Sequence, residues 1–457
     1  RQMCIRDSGT SGGDSEQSGG TLDISYELGD LTLRSITAVS TIDDNFSFDL
    51  AGGGFLGFTG VPGLLVDSDS NMDQWSQELQ VLGSSFSDRL EWIVGFFYLN
   101  EDGDQDYRGF AGDGINPPAV DFLEAIDTET DNYSVYGEGT WAFNDRLSAT
   151  VGLRWSKDEK DFSIDCLPGS GGTSTCVPTT TGLSVKLDEN YDEWTPRFGL
   201  DYQLNDKWLT YLSAGKGFQA GGFQTLCFGN LQCADSDYDS QTVWSYEAGF
   251  KGDMLDDTVR LNAAVFYAQY DDIQQTVLTP VLDGTGTPIP GFFTFPTDNV
   301  DDVDVWGVEL ETFWTPVENL NFFGSLGYMD ADDVSFTDNI GTSVNRELPS
   351  NPDLSVRLGF DYTRDITNAV QVFFGADMNY TDNYFSEVTN ALEIDDYMRG
   401  NAFLGIGQPD GRWQLVATMK NISDEDDNVS GIFAPGFTNV RTPLPPREYM
   451  VTFKVAY

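Results

Sequence analysis

The chain has 457 residues, of which 74 are acidic and 24 basic, and its formal net charge of −50 comes with no histidine. Such an acidic chain repels phosphate groups, so we expect no binding to nucleic acid. Aromatic residues make up 13% of the chain and apolar residues are patterned along all of it, which excludes a disordered protein.

The N-terminal segment lacks the apolar stretch of a signal peptide and begins with Arg1 rather than with methionine. We therefore expect residues 1–20 to be a non-native or disordered leader and residues 21–457 to form the folded domain. No run of about 18 apolar residues follows, so the sequence predicts no membrane-spanning helix.

From residue 21 onward the chain repeats one unit: a strand, a short polar turn, a second strand and a long loop. This alternation of short and long connections predicts an all-β fold, a transmembrane antiparallel up-and-down β-barrel. A soluble β-sandwich would instead have turns about every 8 to 12 residues. Eight hairpins and a closing strand give 17 predicted strands. The closing strand covers residues 447–457, and the hairpins cover residues 22–42, 75–100, 128–162, 194–218, 243–277, 305–330, 354–384 and 397–422.

Apolar and polar side chains alternate within these strands, as they do where one face meets lipid and the other a wet lumen. In one strand Leu147, Val151 and Leu153 share a face, while Thr150 and Arg154 share the other. The closing strand alone would also suit the edge of a soluble sheet, but the polar second face of the other strands favours the membrane. We interpret its apolar face as a C-terminal barrel-insertion signal, made of Tyr449, Val451, Phe453, Val455 and Tyr457.

Four of the five cysteines form two local pairs inside polar stretches of the predicted long loops. Two close pairs in loops indicate two disulfides and an oxidising compartment. Metal binding is the alternative, and the absence of histidine and of a CxxC pair disfavours it. The predicted disulfides are Cys166–Cys176 and Cys227–Cys233.

Catalytic chemistry has little support, because no histidine is present to act as a base beside a nucleophile. We expect no enzyme activity, no catalytic residues and no cofactor. Asp235, Asp237 and Asp239 alternate in one loop, and Asp302 and Asp304 in another. Carboxylates can bind calcium, yet the glycine and terminal glutamate of an EF-hand loop are missing, so a solvated acidic face is the stronger interpretation and no metal site is predicted.

Several motifs, in this order and spacing, resemble the barrel portion of TonB-dependent outer-membrane receptors, especially the siderophore-receptor-like ones. They include residues 75–81 (WSQELQV), 133–138 (YSVYGE), 217–223 (GFQAGGF), 245–251 (SYEAGFK) and 419–424 (MKNISD). The resemblance implies a barrel of about 22 strands, an N-terminal plug and a TonB box. By that resemblance this chain holds the last 17 strands, and an odd count is itself unusual for a bacterial barrel.

The resemblance further implies a bacterial outer-membrane receptor that binds and imports a scarce large nutrient, a ferric siderophore above others, with TonB energy. A passive porin or surface-adhesion barrel is the alternative. Expected partners are outer-membrane lipid, the barrel-assembly machinery, a small-molecule ligand, and TonB through a region absent from this chain. Aromatic residues of long loops are candidate ligand contacts, although packing of loop on loop explains them equally well: Phe223, Phe228, Tyr238, Phe292, Phe293 and Phe295.

Overall fold

The computed structural model describes residues 12–49, 64–111, 120–168, 183–225, 227, 231–277, 279–282, 288–300, 302–337, 343–432 and 440–456. The strands in chain order are β1 (Gly12–Leu28), β2 (Leu31–Asp49), β3 (Leu64–Ser85), β4 (Leu90–Ala111), β5 (Val120–Asn144), β6 (Leu147–Pro168), β7 (Leu183–Asn205), β8 (Trp208–Gln219), β9 (Gly222–Phe223), β10 (Asp237–Tyr238), β11 (Gln241–Met254), β12 (Val259–Asp271), β13 (Gln274–Thr276), β14 (Thr279–Leu282), β15 (Pro288–Thr294), β16 (Thr297–Asn299), β17 (Val303–Val317), β18 (Leu320–Ala331), β19 (Val334–Thr337), β20 (Ser343–Arg346), β21 (Leu354–Thr367), β22 (Val370–Thr381), β23 (Tyr384–Phe385), β24 (Glu393–Ile394), β25 (Tyr397–Gly407), β26 (Trp413–Lys420), β27 (Asn428–Ile432), β28 (Val440–Pro443) and β29 (Glu448–Val455). One helical turn, α1 (Leu231–Ala234), precedes β10.

One sheet contains 17 of these strands, which confirms the predicted count and the antiparallel fold class. Each strand pairs with the next in the series, and the predicted short turns join alternate pairs. Within the described residues β1 pairs with β2 alone and β29 with β26 alone, so these strands are the two edges of the sheet. The series is β1 to β8, β11, β12, β17, β18, β21, β22, β25, β26 and β29.

Residues 12–20, which the sequence predicts to be part of a leader, lie in β1 in the structure. β1 begins at Gly12, which stands opposite Ser47 of β2, and the ladder runs without interruption to Leu28. The segment GGDSEQSGG lacks the alternating side chains by which the other strands are predicted. Backbone hydrogen bonds to a long partner strand do not require that alternation, so the ladder extends into polar sequence. Residues 1–11 lie outside the described residues.

The outer face of the sheet is apolar and the inner face is largely polar. On β29, the side chains of Tyr449, Val451 and Phe453 are 73%, 71% and 64% exposed on that outer face. Tyr457, the last residue of the predicted insertion signal, lies outside the described residues. A band of rings crosses neighbouring strands on the outer face, with centroids 5.3 Å apart for Trp75 and Tyr98 and 5.1 Å apart for Tyr98 and Tyr133. Such a band is typical of the membrane–water interface.

Strands β3 to β7 continue well beyond this aromatic band, farther than the sequence predicts. Their outer face carries a row of directly opposed acidic residues, one from each of the five strands. Like charges directly opposite each other in a sheet are destabilising. Because the extensions carry such residues in place of an apolar face, hydrophobic patterning does not predict them. The row is Asp73, Asp102, Glu129, Asp161 and Asp188.

Among the described residues, no helix has the length and hydropathy of a membrane span.

Candidate ligand-binding mouth and lumen

The loop between β8 and β11 folds inward onto the extended strands beside it. β9 and β10 pair Phe223 with Asp237 and Gly222 with Tyr238. The Phe223 ring stacks on Phe162 of β6 with centroids 5.1 Å apart and planes 18° apart. This stack belongs to a buried apolar cluster above the lumen, whose members are Ile126, Phe162, Ile164, Val185, Cys227, Cys233 and Ala234.

Of the predicted ligand contacts, Phe223 and Tyr238 are thus brought together in one small sheet, and both side chains are half-buried. Phe295 is also half-buried and follows β15, whereas Phe228 lies outside the described residues. Phe292 and Phe293 are in β15, where the backbone of Phe293 stands opposite Pro280. The structure therefore shows packing of Phe223 on a strand, and a role of these residues in ligand binding stays a prediction.

A disulfide joins Cys227 to Cys233 with their Cα atoms 5.5 Å apart, which is the pairing expected from the sequence. Both side chains are buried in the apolar cluster, at 0% and 9% exposure. Cys166 is also disulfide-bonded and buried, while Cys176, its predicted partner, lies outside the described residues. The loop is thus fixed by a covalent link as well as by its apolar contacts.

Polar contacts hold the same loop against the barrel wall. Lys160 of β6 donates a hydrogen bond from Nζ to the Gly221 carbonyl at 2.7 Å, and its ammonium lies 5.8 Å from the Tyr191 ring centroid. Burial lowers the pKa of Lys160 and raises the pKa of the Tyr191 phenol. The Tyr191 hydroxyl donates to the Tyr238 carbonyl at 3.3 Å.

The long loops are also joined to one another by side-chain to backbone hydrogen bonds. Gln224 is 4% exposed; its Nε2 donates to the Thr297 carbonyl at 2.6 Å and its Oε1 accepts from the Thr297 N–H at 2.8 Å. Asn390 and Glu347 form the same kind of reciprocal pair, at 2.7 and 3.0 Å. Ser386 Oγ donates to the carbonyl of residue 431 at 2.9 Å.

These pairs, together with a second buried apolar cluster, connect the five long loops that follow β8, β12, β18, β22 and β26 into one rim. The second cluster contains Ile273 from the loop after β12, Val303 at the start of β17 and Val334 from the loop after β18. Sequence reasoning missed Gln224 and Asn390, because an amide in a polar loop gives no local signal of a partner far along the chain.

On the inner face, aromatic rings lie over glycines of neighbouring strands. Tyr136 lies over Gly95; its hydroxyl donates to Glu78 Oε1 at 2.5 Å and accepts from Gln80 Nε2 at 3.0 Å. The Arg154 guanidinium is 5.7 Å from the Tyr136 centroid. Tyr211 over Gly249, Phe266 over Gly307, Phe323 over Gly359 and Phe373 over Gly405 repeat the arrangement. The rings therefore lie against the inner wall of the sheet.

Two of the five aspartates that are candidate calcium ligands accept hydrogen bonds from protein donors. Asp304 Oδ2 accepts from the Tyr267 hydroxyl at 2.7 Å, and Asp302 Oδ1 accepts from the Asp272 N–H at 3.3 Å. In the part of the chain that the structure describes, no three histidine, cysteine or acidic side chains are grouped so that they could hold a metal ion.

Comparisons with known proteins agree with this architecture. The family model described as "TonB dependent receptor-like, beta-barrel" matches residues 5–422. Among solved structures, the ferric yersiniabactin uptake receptor FyuA from Yersinia pestis superposes with a TM-score of 0.77 at 17% identity, covering 98% of this chain and 62% of that chain. The siderophore receptor PiuA from Acinetobacter baumannii gives 0.71 at 17% identity, with 96% and 64% covered. The ferric-catecholate import receptor Fiu from K12 E. coli gives 0.68 at 16% identity, with 98% and 64% covered.

At these identities the likeness to the solved structures is one of fold, and the chain spans less than two thirds of the length of each. The family match is broader, because it extends over most of the 457 residues. The predicted resemblance and the predicted location in the bacterial outer membrane are thereby confirmed. The chain belongs to the TonB-dependent receptor-like β-barrel family.

Proposed function

We propose that this chain forms the wall and the mouth of a receptor that imports a scarce large nutrient, a ferric siderophore, with energy from TonB. The observation that carries the proposal is the rim of five linked loops above a polar lumen. Loops held in one arrangement lose little conformational entropy when a ligand binds, which favours tight capture over free passage. The fold likeness to receptors for ferric chelates supports the choice of ligand.

In this proposal the chemistry is non-covalent. The mouth loops and the inner wall bind the ligand, and a plug domain, attached to TonB on the periplasmic side, opens the path. No bond is made or broken in the ligand, so the receptor needs no catalytic residues and no cofactor of its own.

The test is uptake of radioactive iron as a siderophore complex by iron-starved cells of the source bacterium, with the gene present, deleted or restored. We expect uptake to fall on deletion and to return on complementation. A protonophore should abolish it, because TonB draws on the proton gradient. Uptake that survives both the protonophore and loss of TonB would support the passive porin instead. Iron uptake that is the same with and without the gene would contradict the receptor.

The rim itself can be tested in the same assay. Gln224→Leu removes both hydrogen bonds to Thr297 and should weaken ligand capture more than it changes the amount of protein in the membrane. Gln275→Leu is a matched control, because Gln275 is half-buried in β13 and its side chain makes no hydrogen bond to another described residue. Equal effects of the two substitutions would show that the rim contact is not specific to capture.

A further inference from the structure

A row of polar side chains crosses the inner wall where β21, β22 and β25 pair. Arg357 stands opposite Asn379, and Asn379 stands opposite Arg399. Their chain neighbours Leu358 and Met398 are 50% and 43% exposed on the apolar outer face, so the alternation of a strand directs Arg357 and Arg399 into the lumen.

A third cation completes the group from the next strand. Ala402 of β25 pairs with Met419 of β26, which places Lys420 across from Asn401. Arg399, Lys420, Asn379 and Asn401 line one cleft of about 530 Å³. That volume is within the range of small-molecule sites.

Acidic residues do not neutralise these three cations. Several other cations are paired, as Arg34 is with Asp23 at 2.5 Å and Arg260 with Asp253 at 2.9 Å. Arg357, Arg399 and Lys420 make no ion pair with another described residue. In a protein of net charge −50, three such cations within four consecutive strands form a local region of positive charge.

The one carboxylate in the cleft is already engaged. Asp377 Oδ2 accepts hydrogen bonds from the side-chain amides of Asn379 and Asn401, each at 3.0 Å. Arg399 Nε is buried and has no hydrogen-bond partner among the described residues. Its guanidinium has therefore lost part of its hydration, and an anion that bonds the remaining N–H groups would recover free energy. Arg357 is held in turn by the Phe323 ring, 5.3 Å from its centroid.

We propose that this cleft binds the carboxylate groups of a small anionic ligand, a polycarboxylate chelate of ferric iron. The inference rests on the proposed receptor function and adds the charge and the chemical class of the ligand. The Arg399 guanidinium and the Lys420 ammonium lie on neighbouring strands about 5 Å apart, and Arg357 lies two strands from Arg399 on the same wall. Such a spacing matches several carboxylates of one molecule. A neutral chelate would leave these cations without partners.

The test is calorimetric titration of the whole purified protein in detergent, with citrate and ferric citrate as probes and a neutral ferric hydroxamate for comparison. We expect citrate to bind, and Arg399→Gln to weaken binding by about tenfold or more, since a charge-assisted hydrogen bond is lost. Lys420→Gln should act in the same direction. Arg412→Gln is the control, because Arg412 pairs with Asp410 in a short turn and lies outside the cleft. Raising the sodium chloride concentration should weaken binding to the unaltered protein.

Absence of citrate binding, or equal binding by the unaltered protein and the Arg399→Gln and Lys420→Gln variants, would overturn the proposal. Strand content by circular dichroism would show whether each variant is folded, and Arg357→Gln gives a further variant if one is not. Binding of the neutral hydroxamate alone would overturn the anion site and leave the receptor function standing. If citrate binds but deletion of the gene has no effect on iron uptake, the anion site would stand and the receptor function would be overturned.

Discussion

The ring of Tyr136 occupies the space that a side chain on Gly95 would need: a Cβ there would be 2.4 Å from Tyr136 Cζ. The two residues are directly opposed on β4 and β5. The missing side chain of Gly95 lets the Tyr136 hydroxyl reach Glu78, two strands away along the inner wall. Glycine is thus required here by a close approach and not by its backbone angles.

Gly95→Ala should therefore destabilise the barrel. The methyl group would displace the Tyr136 ring and break its hydrogen bonds to Glu78 and Gln80, at a cost of about 1–3 kcal/mol. The measurement is the thermal unfolding midpoint in detergent, and the unfolding is monitored by the shift in gel mobility of the heated protein. Gly199→Ala is the control, since a Cβ there would make only ordinary contact, 3.5 Å from Thr150 Cβ. Equal midpoints for the two variants would contradict the argument.

Gln224→Leu should loosen the rim between the loops after β8 and β12. It removes the two hydrogen bonds between the buried Gln224 side chain and the backbone of Thr297, at a cost of about 1 kcal/mol each. Hydrogen exchange of the peptide that contains Thr297 should accelerate in this variant. The same peptide in Gln275→Leu should exchange as in the unaltered protein, and faster exchange in both would point to a general loss of packing.

Reduction of the Cys227–Cys233 disulfide should free the loop that carries Phe223. Closing so short a loop stabilises it by about 2 kcal/mol in the chain-entropy model, and both sulfur atoms are buried in the apolar cluster. Limited proteolysis should cut residues 220–240 after treatment with a reductant, while the barrel strands remain intact. Resistance of this loop in a Cys227→Ser, Cys233→Ser double variant would show that the apolar contacts alone suffice.

Asp104→Asn should stabilise the extended ends of β4 and β5 at neutral pH. Partial loss of hydration raises the pKa of the exposed Asp104 carboxyl, and the opposed carboxylate of Asp127 raises it further. The folded protein therefore binds this proton more tightly than the unfolded chain does, so stability falls as the pH rises from below the unfolded pKa through the raised folded pKa. At pH 7 this destabilisation is present in full. We therefore expect Asp104→Asn to raise the free energy of unfolding by about 0.5 kcal/mol.

The pH dependence provides the check on Asp104→Asn. Its advantage in the unfolding midpoint should shrink as the pH falls below the unfolded pKa, where Asp104 is protonated in both states. High salt should shrink it as well, because exposed charges are screened. Asp145→Asn, in the short turn between β5 and β6, is the control and should show no such trend. A constant advantage at all pH values would exclude the electrostatic cause.

The sequence alone determined the number of strands, their antiparallel order and the face that each residue occupies. These properties are local: a period-two pattern such as that of Leu147, Val151 and Leu153 assigns faces, and a short polar turn between two patterned runs makes them neighbours. The apolar face of the closing strand was predicted in the same way and is exposed in the structure. The family resemblance followed from motifs on those strands.

Only the tertiary structure decided where the strands end and which loops meet. β1 starts at Gly12 and β5 at Val120 because their backbones pair with long neighbours, a stabilisation that leaves no pattern in polar sequence. Gln224 and Thr297 are 73 residues apart, and the Arg357–Asn379–Arg399 row spans three strands. Such contacts depend on the register of the whole sheet, because hydrogen bonds and charges act over a few ångströms in space, whatever the separation along the chain.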